Sequence, residues 1–396
     1  MRPELQIFAF PLSLILAAAL LVSILLFPKK CPRRLSVVVL SLLAIGFAVI
    51  GCLKPSPVHS YFLAPLILAC IFFSGVEARD AIRNKAGLHI ILSHLGLGIV
   101  LASSLFSAPD SIQSAIILDK DQPKHLCEDG MVLDFDLELK DVHTEHYEGT
   151  DKPRQYRARI LLNGKVRQIS INHPASYKGW LLYLSDFDRQ HEKRAMLKIV
   201  RDPSIPGVLL GMVMLVIAAV LGVKRSWKSR LALPAVIAIA LIFTLISVSR
   251  INFSTLPPAL RSFWFAPHLM VYMLAYSTLA LSLICAIAGF IPRASKAAAL
   301  SRPLLETSSS LILMGIVFGA IWAQLSWGDY WAWDAKECWA SATYLLTLCA
   351  VHLPRRNNNA IFAASLLLSF AAMQMTWYGV NLLPSARSSM HTYNSK

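Results

Sequence analysis

Long apolar runs dominate this chain, and short segments that are either basic or rich in tryptophan separate them. Runs able to cross ~30 Å of hydrocarbon predict membrane helices at roughly 7–27, 35–53, 61–76, 86–107, 205–223, 231–249, 267–291, 308–326, 338–353 and 359–381. One long polar stretch, 108–204, breaks the series. Within it Met131-Val-Leu-Asp-Phe-Asp-Leu-Glu-Leu139 alternates apolar and polar positions, the period of a half-buried strand. Ala158 to Leu162 and Lys165 to Ile171 flank Asn163-Gly164, which predicts a hairpin closed by a type I′ turn. Trp180-Leu-Leu-Tyr-Leu184 predicts a further strand. The pattern therefore predicts a polytopic α-helical membrane protein, with about ten transmembrane helices and one mostly β extracytoplasmic domain resembling a partial sandwich.

Composition agrees with this reading. Of 396 residues, 56% are hydrophobic and 15% charged, too apolar a balance for a soluble globular chain. A net charge of +15 would suggest nucleic acid in a soluble protein. Here the basic residues gather at 29–34, 79–85, 224–230, 293–302 and 355–356, after every second apolar run, and lack interleaved aromatics. They mark the cytoplasmic side by the positive-inside rule, and no nucleic-acid partner is expected. Both termini, the polar domain and the tryptophan-rich stretch then fall on the opposite side, where Arg250 and Arg261 run against the rule. The first run has no small-residue cleavage site and reads as a retained helix. Seven cysteines without a C-x-x-C pair imply no disulfide framework. No phosphate-binding G-x-x-x-x-G-K-[ST] loop occurs, so ATP hydrolysis is not expected.

The candidate chemistry lies in Trp327-Gly-Asp-Tyr-Trp331-Ala-Trp333-Asp334-Ala-Lys-Glu337-Cys-Trp339. Indole rings favour the membrane–water interface, but an anchoring belt scatters one or two per helix end. A denser patch at a bilayer surface suits a flat, largely apolar, acid-bearing ligand such as a porphyrin. Histidines supply the second signal. An ionisable side chain in a span needs a cavity, a partner or a ligand, and neutral imidazole is a good axial ligand for haem iron. His268 opens a span on the tryptophan side, and His391 follows the last span on that side. His352 closes a span at the other end, where His89 and His94 lie in the fourth span. Two pairs would make two stacked haem sites. A rise of ~1.5 Å per residue puts His94 deeper than His89, so depth alone matches His352 with His89 better and leaves that pairing open. His59, in a Pro-Ser-Pro loop, and the histidines of the polar domain (His125, His143, His146, His173, His191) receive no ligand role.

The tryptophan-rich stretch resembles the "WWD" signature of the haem-handling proteins of cytochrome c maturation. Ser262-Phe-Trp-Phe-Ala-Pro-His268 before it, His352 after it and Met390-His391-Thr-Tyr393 beyond the last span follow the order of the CcsA (ResC) half of the System II synthase. The earlier chain resembles the CcsB (ResB) partner, through His94-Leu-Gly-Leu97, Ile171-Asn-His-Pro174, Tyr177-Lys-Gly-Trp180 and Arg201-Asp-Pro203. On that resemblance 1–107 is a four-helix CcsB-like part and 108–204 the extracytoplasmic β-domain. Residues 205–230 are a fifth helix and loop, and 231–396 a five-helix haem-handling part with its WWD loop at 326–339. The resemblance implies haem b as substrate, with His94 and His352 as inner iron ligands and His268 and His391 as outer ones. It lays the porphyrin against Trp327, Trp331, Trp333, Asp334 and Trp339. It further implies haem export and thioether attachment to a C-x-x-C-H apocytochrome c at a bacterial inner membrane. Thioredoxin-like proteins would keep the thiols reduced on the periplasmic side. No catalytic acid or base is assigned, and Asp334 and Glu337 are expected to be structural. Competing expectations are a haem transporter or chaperone without ligase activity, a transmembrane b-type electron carrier, and a haem-free transporter.

Overall fold

The computed structural model describes residues 12–26, 33–54, 56, 59–107, 110–189, 191–226, 238, 242, 255–353 and 359–388. The sixth apolar run, 231–249, falls outside these apart from two isolated positions, and His391 falls outside them altogether. Four helices, α1 (Leu12–Leu26), α2 (Arg33–Gly51), α3 (His59–Arg83) and α4 (Leu88–Ser107), precede the polar domain. Among the described residues five long helices follow it: α5 (Ile205–Ser226), α6 (Phe265–Ala288), α7 (Ser301–Trp327), α8 (Ala335–His352) and α9 (Asn359–Trp377). By length and composition, α3, α4, α5, α6, α7 and α9 can cross a bilayer, and the protein is a polytopic membrane protein. The described apolar parts of α1 and α2 are shorter. The third helix extends past its expected end at residue 76, and in this extension Arg79 donates to the carbonyl of Ile24 on α1 and pairs with Asp80.

The helices pack in sequence around a ring: α2 on α3, α3 on α4, α4 on α5, α5 on α7, α7 on α6, α6 on α9, α9 on α8, and α8 back on α2. Between lipid-embedded helices apolar surface gains little by association, so close approach and interhelical hydrogen bonds matter more. Both are present. A Cβ at Gly211 of α5 would lie 2.8 Å from the Gly96 carbonyl of α4, so the two backbones touch there. Ser282 and Ser301 exchange hydrogen bonds to each other's carbonyls at 2.8 and 2.7 Å, and Ser308 donates to the Ala275 carbonyl, which ties α6 to α7. Thr343 of α8 meets Thr376 of α9 at 3.1 Å.

The polar domain is a full sandwich of two four-stranded antiparallel sheets. One runs β1 (Ile112–Asp119), β8 (Arg194–Arg201), β7 (Trp180–Phe187), β6 (Ala175–Tyr177). The other runs β2 (Pro123–Leu126), β3 (Val132–His146), β4 (Pro153–Leu162), β5 (Lys165–Ser170). Leu133, Phe135, Leu137 and Leu139 of β3 point inward as the alternation predicts. A bulge between Leu139 and Asp141 then shifts the inward position to Val142. Asn163 and Gly164 both take positive φ, as the type I′ hairpin requires. Cys127 is packed into this core, and burial raises its thiol above the usual range, which makes it a poor nucleophile.

Candidate functional site

The tryptophan-rich loop leaves α7 at Gly328, whose φ of 80° closes the helix in the left-handed conformation. It enters α8 through Asp334, which is 1% exposed and accepts the Lys336 backbone N–H at 2.7 Å. Glu337 reaches back to the backbone N–H groups of Asp334 (3.1 Å) and Ala332 (2.9 Å). This is a capping box extended by one residue. Trp333 holds a φ of 58°, unfavourable for a side chain of its size. Its indole stacks on Phe47 of α2, with centroids 5.6 Å apart and planes at 13°.

The motif does not present one continuous indole face. Trp331 lines a cavity of about 320 Å³ between α6, α7, α8 and α9. Trp327 packs behind it on Trp322, itself a cavity-wall residue. Trp333 turns towards α2, and Trp339 lies against the α2 backbone at Gly51, where a Cβ would come within 2.8 Å of the indole. Asp334 caps α8. Of the five motif residues expected to hold a porphyrin, Trp331 therefore reaches this cavity, whereas Trp327, Trp333, Asp334 and Trp339 fix the loop that carries it. Other cavity walls, Trp377, Tyr272, Tyr276 and Phe265, come from outside the motif.

His268 lines the same cavity. Its Nδ1 lies 2.8 Å from the Gly315 carbonyl of α7, an acceptor only, so Nδ1 carries a proton and, in the neutral ring, Nε2 bears the lone pair. A backbone carbonyl on the far nitrogen is the usual orienting contact of a metal-binding imidazole. Space for the ring comes from Gly319, where a Cβ would sit 2.6 Å from His268 Cε1. Gly315 gives the same clearance to the Tyr272 ring, at 2.7 Å. His352 is oriented alike, with Nδ1 2.8 Å from the Leu348 carbonyl. It stands at the other end of α8 and comes within electrostatic reach of His94 on α4. No contact between His94 and His352 is seen among the described residues beyond this electrostatic reach, and His391, the expected partner of His268, lies outside the described residues.

Several site residues carry no pattern that sequence reading detects. His59 is buried, hydrogen-bonds the Lys54 carbonyl at 2.9 Å, and meets Trp333 edge-on at 6.3 Å. The sandwich grips the loop from the other side. Lys198 of β8 donates to the Trp327 carbonyl at 3.0 Å and pairs with Asp329, which Gln113 of β1 also contacts. Buried Asn172 donates to the Pro258 carbonyl at 2.9 Å and accepts from Ser326 at 2.5 Å. Tyr183, kept protonated because burial raises its hydroxyl well above the usual range, accepts from Gln324 at 3.1 Å. The Asn-His-Pro segment is visible as a motif, but its docking role needs the fold.

Comparisons with known proteins agree with this architecture. The family described as Cytochrome C assembly protein matches residues 205–387, and the ResB-like family matches 86–198. The chain thus carries a cytochrome c assembly segment joined to a ResB-like one. In that order, on one chain, the two matches support a CcsBA-type System II cytochrome c biogenesis protein. Protein NrfI of Wolinella succinogenes is 31% identical over 156 residues, 35% of this chain and 17% of the relative. The cytochrome c biogenesis protein CcsA of Chlamydomonas reinhardtii is 31% identical over 160 residues, 35% of this chain and 43% of the relative. CcsA of Guillardia theta is 29% identical over 174 residues, covering 35% of this chain and 56% of the relative. The chain spans less than two thirds of the length of each of these curated relatives.

Proposed function

We propose that this protein exports haem b across a bacterial inner membrane and attaches it to the C-x-x-C-H motif of apocytochrome c. The observation that carries the reading is His268, its Nδ1 tied to the Gly315 carbonyl, lining an aromatic cavity beside Trp331. In this scheme haem enters at His94 and His352 and moves to the cavity, where His268 and His391 take the iron. The β-sandwich and the tryptophan loop face the periplasm, the basic loops face the cytoplasm, and the sixth apolar run completes ten spans. Oriented imidazole at the iron leaves the porphyrin edge open to an incoming chain. Each thioether forms by adding a cysteine S–H across a vinyl C=C, so no group leaves and nothing is oxidised overall. Thioredoxin-like proteins would keep the cysteines as thiols. The apocytochrome histidine then replaces one protein ligand and removes the product.

The test is the reduced-minus-oxidised spectrum of the purified protein beside His268→Ala and His391→Ala, followed by addition of reduced apocytochrome c. The reading expects a b-type signal weakened in both variants, restored by imidazole, and a covalent haem band on the apocytochrome. Haem held normally without covalent product would identify a chaperone. Haem unaffected by either variant would identify an electron carrier with ligands elsewhere.

A further inference from the structure

We propose that Lys336 is the carboxylate-binding residue of the His268 cavity, pairing with a propionate of the porphyrin and thereby setting which edge of the ring faces away from it. The inference rests on the haem reading above and deepens it. Lys336 lines the cavity with His268, Trp331, Tyr276 and Trp377, in walls that are otherwise largely aromatic and aliphatic. Glu337, also in the wall, already accepts the backbone N–H groups of Ala332 and Asp334, which engages its carboxylate with the loop. Arg261 follows the cavity residue Leu260 but turns away, with its guanidinium 5.7 Å from the Tyr147 ring and directed to the Arg154 carbonyl. Among the described residues, Lys336 is thus the basic side chain of this wall.

Its position carries two electrostatic costs. It stands in the first turn of α8, the end of a helix that repels cations. It is also half-buried against apolar surface, where an ammonium loses hydration. The Asp334 carboxylate nearby offsets part of both effects. A carboxylate entering the cavity would meet the Lys336 ammonium in this wall. Protoporphyrin IX carries its two propionates on one edge and its vinyls elsewhere on the rim. Holding the propionate edge at Lys336 therefore leaves the vinyl-bearing rim directed away from it, where thiols can approach.

The test uses the whole detergent-solubilised protein and two probes, iron protoporphyrin IX and its dimethyl ester, which has no carboxylate. Wild type, Lys336→Met, Lys336→Arg and His268→Ala are titrated by their Soret bands. A charge-assisted hydrogen bond corresponds to a preference of about tenfold for the free acid. Lys336→Met should reduce that preference to within about twofold, and Lys336→Arg should retain it. Lys336→Met that binds through His268 with the wild-type preference would overturn the assignment. If His268→Ala leaves binding of both probes unchanged, the haem reading of this cavity fails, and this proposal with it.

Discussion

A methyl group added at Gly319 would sit 2.6 Å from Cε1 and 2.8 Å from Nδ1 of His268. Carbon contacts relax at about 3.5–4.0 Å, so the imidazole must move by about 1 Å or α6 and α7 must part. Either motion strains the 2.8 Å hydrogen bond to the Gly315 carbonyl, whose loss costs about 0.5–1.5 kcal/mol. Overpacking adds about 1–3 kcal/mol, while the better helix propensity of alanine returns about 0.5–1 kcal/mol. The balance is about 0.5–4 kcal/mol against the native ring position, or roughly a two- to several-hundredfold loss of affinity for a ligand held by that ring. Haem content and Soret position of purified Gly319→Ala measure this, with exogenous imidazole added to test rescue. Gly98→Ala is the control, since a Cβ there meets Ser74 at an ordinary 3.9 Å. Full haem content with an unchanged Soret band in Gly319→Ala would refute the argument that His268 binds through this geometry.

Asn172→Ala removes two buried hydrogen bonds and strains a residue with φ of 70°. It should lower stability by about 1–3 kcal/mol, read as an earlier melt and faster proteolysis between the sandwich and α5. Asp334→Ala should cost about 1 kcal/mol through loss of the α8 cap, with Asp334→Asn much milder because its oxygen still accepts; thermal melts separate the two. Lys198→Met should loosen the tryptophan loop at Trp327 and Asp329, seen as faster hydrogen exchange at 327–331 with the sandwich unchanged. Cys127, 3% exposed with a raised thiol pKa, should resist maleimide at pH 7 in the folded protein and react once denatured.

Apolar run length and strand alternation foretell most of the fold, because both report directly on what each residue must face. The hairpin at Asn163-Gly164 is legible for the same local reason: two consecutive positive φ values suit those residue types. The limits of α3 are not legible from apolar run length, since its last turns, through Asp80 and Arg83, are polar. The site is legible as residue types and illegible as faces. Four tryptophans within the motif look alike in sequence, yet their directions depend on Gly328, on the left-handed turn at Trp333 and on the position of Phe47. Tyr272 and Trp377 sit in ordinary apolar runs, and only helix packing brings them to the same cavity.

That packing also explains how the two matched families meet in one chain. The ResB-like match ends at residue 198 and the cytochrome c assembly match begins at 205, inside a continuous passage from β8 into α5. The structural units ignore that border. Helix α5, on the assembly side, runs against α4 of the ResB-like side through Gly96 and Gly211. On the other flank α8 packs along α2, with Trp339 seated on Gly51 and Trp333 on Phe47. The sandwich then holds the start of the loop through Lys198 and Asn172. Trp331 therefore owes its direction to contacts made by the N-terminal part at both ends of the loop. Separating the parts would expose the α4–α5 backbone seam and release both anchors, so the cavity belongs to the joined chain and not to the assembly-family segment alone.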